Sequence, residues 1–358
     1  MNRKIKIMVI EDSLSVREFL KHVLAQDPRL EVCAAVESAE EGLALIHKAA
    51  PDAISMDIRL PGINGLEATT RIMEERPTPI VVLADNVNSD DLKISMKALQ
   101  AGALSVIEKP VGLIHKDFKR FSQQICDQLV IMSDVKLVRQ RPKKIHFPSP
   151  VTVETSPEIS QVLPRDFRSD FGLLGVVAST GGPNALLQVF KNLPPDFPLP
   201  MVLVQHITSS FLYSFAQWLN DQLPFQVIVA KEGEVMSKGK IYMSPPDRHL
   251  VVDGPILRLS DQEPFQFNRP SGTVLFNSMA KTWGKRCLGV LLTGMGEDGA
   301  HGLLEIKKSG GYTITESEAT AVVYGMPGVA NQLGASCCCL PLPEVAPKVM
   351  QMMMGKIL

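Results

Sequence analysis

Three side chains in the second half of the chain are of the types a serine hydrolase uses, and each directly follows an apolar run. Ser179 opens Ser179-Thr180-Gly181-Gly182 after Leu173–Ala178, and His206 follows Met201–Gln205. Asp298 lies in Thr293-Gly294-Met295-Gly296-Glu297-Asp298-Gly299, after Cys287–Leu292. A serine hydroxyl is a poor nucleophile until a base removes its proton, and the base works best when an acid fixes its tautomer. Glycines beside Ser179 and Asp298 let backbone N–H groups approach a substrate, as an oxyanion hole requires. The same residues admit other readings. An STGG turn at a helix N-terminus attracts phosphate, His206 can be structural, and Asp298 can cap a helix beginning near Gly299. The turn is neither a G-x-S-x-G elbow nor a P-loop, since no GK[ST] follows.

A second constellation lies in the first half. Glu11-Asp12 end one apolar run, Asp57 ends another, and Lys109-Pro110 follow a third. Carboxylates converging at one sheet edge repel unless a divalent cation sits among them, and hard oxygen donors in this arrangement suit Mg²⁺. Asp57 can then attack phosphorus while the Lys109 ammonium neutralises the transferred group.

These positions need a scaffold, and the pattern supplies one. Ile5–Ile10 reads as a strand buried on both faces, and Val16, Phe19, Leu20, Val23 and Leu24 stand at helical spacing. Strand and helix signals then alternate: Val32–Val36, a Ser38/Glu41 capping box, Ala53–Met56, Leu66–Glu75, Ile80–Leu83, Asp90–Ala101 and Leu104–Ile107. A last helix carries Ile114, Phe118, Phe121, Ile125, Leu129 and Met132. Such alternation predicts a parallel sheet covered on both faces. From about Ser133 the chain turns rich in Pro, Lys and Ser without periodicity, which reads as a linker. A second α/β block follows, with strands at Leu173–Ala178, Met201–Gln205, Gln226–Val229, Cys287–Leu292 and Tyr312–Thr315. Short β-like pieces at Lys240–Met243, Leu250–Val252 and Ile256–Leu259 predict a β-hairpin insertion.

Of 358 residues, 45% are hydrophobic and 21% charged, so globular domains are expected. Net charge is −1, and the second block has no basic recognition helix, which argues against nucleic acid and anionic membrane as partners. No apolar stretch approaches membrane-spanning length and no leader is recognised, so a cytoplasmic protein without membrane insertion is expected. Cys337-Cys338-Cys339 lack metal-site spacing and are expected as reduced thiols in a strand or core position.

The first ~125 residues resemble a response-regulator receiver domain. The resemblance implies phosphorylation of Asp57 by a chemotaxis histidine kinase, with Glu11, Asp12 and Asp57 holding Mg²⁺ and Lys109 on the phosphoryl group. Two positions depart from that family: Ala84 replaces the usual Ser or Thr, and Val106 the aromatic switch residue. The second block resembles the catalytic domain of the chemotaxis protein-glutamate methylesterase/protein-glutamine glutaminase, the CheB type. The stretches VVASTGGP, VLVQHI, IYMSPPDRHL, RPSGTVLF, LLTGMGEDGA and ATAVVYGMPG carry that likeness. It implies Ser179 as nucleophile, His206 as base and Asp298 as orienting acid, with Thr180 and the Met295 backbone beside the oxyanion. It also implies hydrolysis of glutamyl methyl esters on chemotaxis receptors, releasing methanol, glutamine deamidation, and no cofactor for the ester reaction. Gly272-Thr273 stand where the family reads Val-Asp, a change expected to touch partner or substrate preference. The fold expected is α/β throughout: a flavodoxin-like, doubly wound five-stranded receiver over 1–127, a linker over 128–168 and a Rossmann-like methylesterase domain over 169–358. The competing reading is a receiver joined to a nucleotide-binding or catalytically inactive interaction module.

Overall fold

The computed structural model describes residues 3–84, 94–95, 97–99, 101–109, 118–135 and 170–354. Its first half is a five-stranded parallel sheet of order β2-β1-β3-β4-β5. The strands are β1 (Ile5–Ile10), β2 (Leu30–Val36), β3 (Ala53–Asp57), β4 (Ile80–Ala84) and β5 (Ser105–Glu108). Helices α1 (Leu14–Gln26), α2 (Ala39–Ala49), α3 (Gly65–Glu75) and α4 (Phe118–Ser133) connect or follow them. Ser38 caps α2 by accepting the Glu41 N–H at 3.3 Å, and Asn64 caps α3 by accepting that of Glu67 at 3.0 Å, each satisfying an orphan donor of the first turn. Within the expected helix Asp90–Ala101, Ile94, Ser95 and Lys97–Leu99 are helical, while Ile114 lies outside the described residues. Helix α4 buries Leu129 and Met132 against the first sheet's core, so the packed part of this half reaches past the expected boundary at residue 127.

The second half is a seven-stranded sheet of order β14-β13-β12-β6-β7-β9-β8 in which every neighbour is parallel. Its strands are β6 (Leu173–Ala178), β7 (Met201–Gln205), β8 (Gln226–Val229), β9 (Lys240–Met243), β12 (Cys287–Leu291), β13 (Tyr312–Glu316) and β14 (Cys338–Leu340). The helices are α5 (Gly182–Lys191), α6 (Ser209–Gln222), α7 (Gly272–Trp283), α8 (Ala300–Lys308), α9 (Met326–Gln332) and α10 (Leu342–Met353). Only β10 (His249–Asp253) and β11 (Ile256–Ser260) form the expected hairpin; Lys240–Met243 instead sits in the main sheet between β7 and β8. Of the cysteine run, Cys338 and Cys339 open the edge strand β14, the strand alternative of the expectation, with Cys337 and Cys339 exposed. The central strands β12, β6 and β7 are buried throughout, and their carboxyl ends carry the three loops singled out above.

Candidate active site

Strands β6 and β7 pair in register, with Ala178 opposite Gln205, so the next residues, Ser179 and His206, stand side by side as the strands end. The His206 N–H donates to Ala178 O at 3.1 Å, which holds this adjacency past the last ladder pair. From the other side, the loop after β12 brings Asp298 to His206, with Nε2 and Oδ2 2.9 Å apart. Asp298 is 2% exposed, whereas Ser179 and His206 are half-buried and open to solvent.

Asp298 does not cap the helix that follows it. Its carboxylate instead sits on the N-terminus of α7, where Oδ1 accepts the Ser271 hydroxyl at 2.6 Å and the Thr273 N–H at 3.0 Å, and Oδ2 accepts the Gly272 N–H at 2.6 Å. Burial alone would raise its pKa, but His206 first, then the Ser271 and Thr273 hydrogen bonds, outweigh that and lower it to about 2. An ionised carboxylate only accepts, so Nε2 carries a ring proton, which in the neutral imidazole leaves the lone pair on Nδ1. This is the reverse of the usual triad, in which Nδ1 faces the acid. At the Gly272-Thr273 departure both backbone N–H groups hold the acid, as those of any residue pair would, and the Thr273 hydroxyl accepts the Gly299 N–H at 2.7 Å. Gly272 also abuts Val177, whose side chain a Cβ there would overlap.

Two residues that motif reasoning passed over tie the loops together. Gln205 donates from Nε2 to Ser179 O at 2.8 Å and to His206 O at 2.9 Å, clamping the Ser179 and His206 loops together. The Thr293 hydroxyl donates to Thr180 O at 2.8 Å and accepts the Val323 N–H at 2.9 Å. Both stand inside quoted motifs, Gln205 in VLVQHI and Thr293 in LLTGMGEDGA. The Thr293 N–H donates to Glu316 Oε2 at 2.9 Å, and burial raises the Glu316 pKa. The Ser179 N–H is committed to Thr293 O at 3.0 Å and the Gly294 N–H to Val323 O at 3.0 Å. Among the described residues the N–H groups of Thr180 and Met295 make no hydrogen bond, which leaves them available to an oxyanion.

In the first half, Glu11, Asp12 and Asp57 bring carboxylate oxygens within 4.8 Å of one another. The Lys109 ammonium lies 3.0 Å from Asp57 Oδ2 and 3.0 Å from Glu11 Oε2. Desolvation, then the Asp57 charge, raises the Glu11 pKa to about 7, and desolvation likewise raises that of Asp57. Burial would lower the Lys109 pKa, but the Asp57 and Glu11 charges win and raise it. Glu11 Oε2 is buried without a well-directed hydrogen bond, so this set of hard donors fits a divalent cation. Ala84 is fully buried at the end of β4 and offers no hydroxyl here, its carbonyl accepting the Lys109 N–H at 2.9 Å.

The two halves meet beside the Ser–His–Asp cluster. Asn184, in the helix behind the STGG turn, donates to Leu99 O at 2.7 Å. Ser210, in the first turn of α6 after His206, donates to Glu108 Oε2 at 2.7 Å. Val322 and Val323 pack against the apolar cluster of the first half.

Residues 174–349 match the family model of the CheB methylesterase, and residues 7–115 that of the response regulator receiver domain. The chain is 48% identical to the protein-glutamate methylesterase/protein-glutamine glutaminase 2 of Paramagnetospirillum magneticum, over 99% of both chains. It is 39% identical to protein 4 of that name from Myxococcus xanthus, over 97% of both. The second half is similar to the crystal structure of the Thermotoga maritima CheB methylesterase catalytic domain, with 31% identity and a TM-score of 0.50, covering 51% of this chain and 98% of that one. Among the described residues no helix is long and apolar enough to cross a membrane.

Proposed function

Because the chain belongs to the protein-glutamate methylesterase/protein-glutamine glutaminase family, with a receiver ahead of the CheB-type domain, we propose that it hydrolyses glutamyl γ-methyl esters on chemotaxis receptors under phosphorylation control. The observation that carries this reading is the ionised, four-fold hydrogen-bonded Asp298 on Nε2 of His206, next to Ser179 at a shared sheet edge. His206 Nδ1 takes the Ser179 proton as Oγ attacks the ester carbonyl. The Thr180 and Met295 N–H groups stabilise the oxyanion. The imidazolium returns the proton to methoxide, methanol leaves, and water activated by the same nitrogen releases the glutamate carboxylate and restores Ser179. A glutamine side chain loses ammonia by the same steps.

Control begins at Asp57, which attacks the phosphoryl group of a chemotaxis histidine kinase. Glu11, Asp12 and Asp57 would hold Mg²⁺, which when bound neutralises charge on the transferred group. The contacts of Asn184, Ser210 and Val322–Val323 with the receiver lie on elements adjoining the catalytic loops, which supports a receiver that restricts the site until Asp57 is phosphorylated. The catalytically inactive or nucleotide-binding alternative predicts a dispensable His206. The test is methanol release from methylated receptor membranes. Ser179→Ala is expected to abolish it, and Asp57→Asn to leave the basal rate and remove stimulation by phosphodonor. Full release from Ser179→Ala would overturn the reading.

A further inference from the structure

Residues Phe265–Asn268 form a tight hairpin turn beside the catalytic loops. The Phe265 N–H donates to Asn268 O at 3.1 Å, and the Asn268 N–H to Phe265 O at 2.9 Å. Both central residues are left-handed, Gln266 with φ 47° and Phe267 with φ 66°. Turns of this geometry take Asn-Gly or Gly-Gly, because a side chain at each centre carries backbone strain. Here the strain presents an aromatic ring to water: Phe267 is 102% exposed, with Phe265 at 39% and Met295 at 48%. The turn is fastened to the site, since Gln266 Nε2 donates to Glu297 Oε1 at 2.6 Å, and Glu297 precedes the catalytic acid. Three residues beyond the turn, Ser271 donates to that acid. Among the described residues the receiver's contacts named above fall on Asn184, Ser210 and Val322–Val323 and not on Phe267.

We propose that Phe267 is a specificity anchor that takes an apolar side chain of the polypeptide carrying the esterified glutamate. The proposal rests on the methylesterase reading above. The ring rides on a turn fastened to the acid's loop, and with only two side-chain torsions it loses little entropy on taking an apolar partner. The charge around it fits the same occupant. Exposed Glu263 and Glu297 tolerate a neutral ester or amide, repel the carboxylate product, and disfavour an anionic lipid surface.

The decisive variant is Phe267→Gly in the full chain, because glycine suits the turn and removes only the ring. Methanol release from methylated receptor membranes is measured beside labelling of Ser179 by a small fluorophosphonate, which needs the triad and no docking. The expected result is a KM raised about tenfold, the worth of one buried aromatic contact, with kcat and labelling unchanged and with most of the affinity regained in Phe267→Leu. An unchanged KM in Phe267→Gly, with active wild type, overturns the anchor alone. A wild type that labels at Ser179 yet releases no methanol overturns the parent reading instead.

Discussion

Asp298 accepts from His206, Ser271, Gly272 and Thr273 at once, and this concentration of donors suits it to the proposed role of orienting acid. Asp298→Asn can offer its amide N–H to Nε2 and so hold the ring in the wrong tautomer. The expected fall in kcat is on the order of 10³–10⁴-fold with the fold retained, checked by methanol release and circular dichroism. Its titration gives a second prediction. The carboxyl pKa drops from an ordinary 3.8 to about 2, so its stabilisation is complete above pH 4 and is lost as pH falls through about 2. Urea unfolding should show about 2 kcal/mol disappearing across that window, and a flatter profile in Asp298→Asn. At this scale much was legible: the types and loop positions of Ser179, His206 and Asp298 are sequence facts. The helix that Asp298 caps was not, because α7 begins 26 residues upstream of it and the contact arises only on folding.

The elements are arranged so that three adjacent strands, β12, β6 and β7, end at one place, and their loops need cross-links to stay there. Thr293 is one such link. Thr293→Val preserves shape but leaves the Thr180 carbonyl and the Val323 N–H without their partner, costing about 1–3 kcal/mol. A lower thermal midpoint together with a reduced kcat is expected; an unchanged midpoint would show that the hydroxyl carries no structural role. Strands buried on both faces announced themselves as apolar runs, so β1, β3, β6, β7 and β12 could be read directly. Lys240–Met243 could not be assigned to its sheet, because a four-residue run bounded by glycine and proline does not say which neighbour it pairs with. Strand β14 hid in a cysteine run whose alternation, half-buried Cys338 between exposed Cys337 and Cys339, emerges only at the sheet edge.

Across the whole molecule, the receiver's β5 places Glu108 on Ser210 directly next to Lys109, the residue that meets Asp57. A shift of Lys109 on phosphorylation can therefore reach the helix after His206 without the hydroxyl missing at Ala84. Ser210→Ala is expected to raise the unphosphorylated rate of methanol release and shrink the stimulation by phosphodonor; an unaltered ratio would dismiss this contact as a relay. The two-block order was legible from composition and alternation, but the contacts between blocks were not, since they join surfaces about 100 residues apart in the chain. Whether this imidazole makes Ser179 nucleophilic can be read by mapping a fluorophosphonate adduct and timing its formation. A single adduct on Ser179 is expected, forming at least about 10³-fold more slowly in His206→Gln. An adduct on another residue, or equal rates in the two proteins, would contradict it.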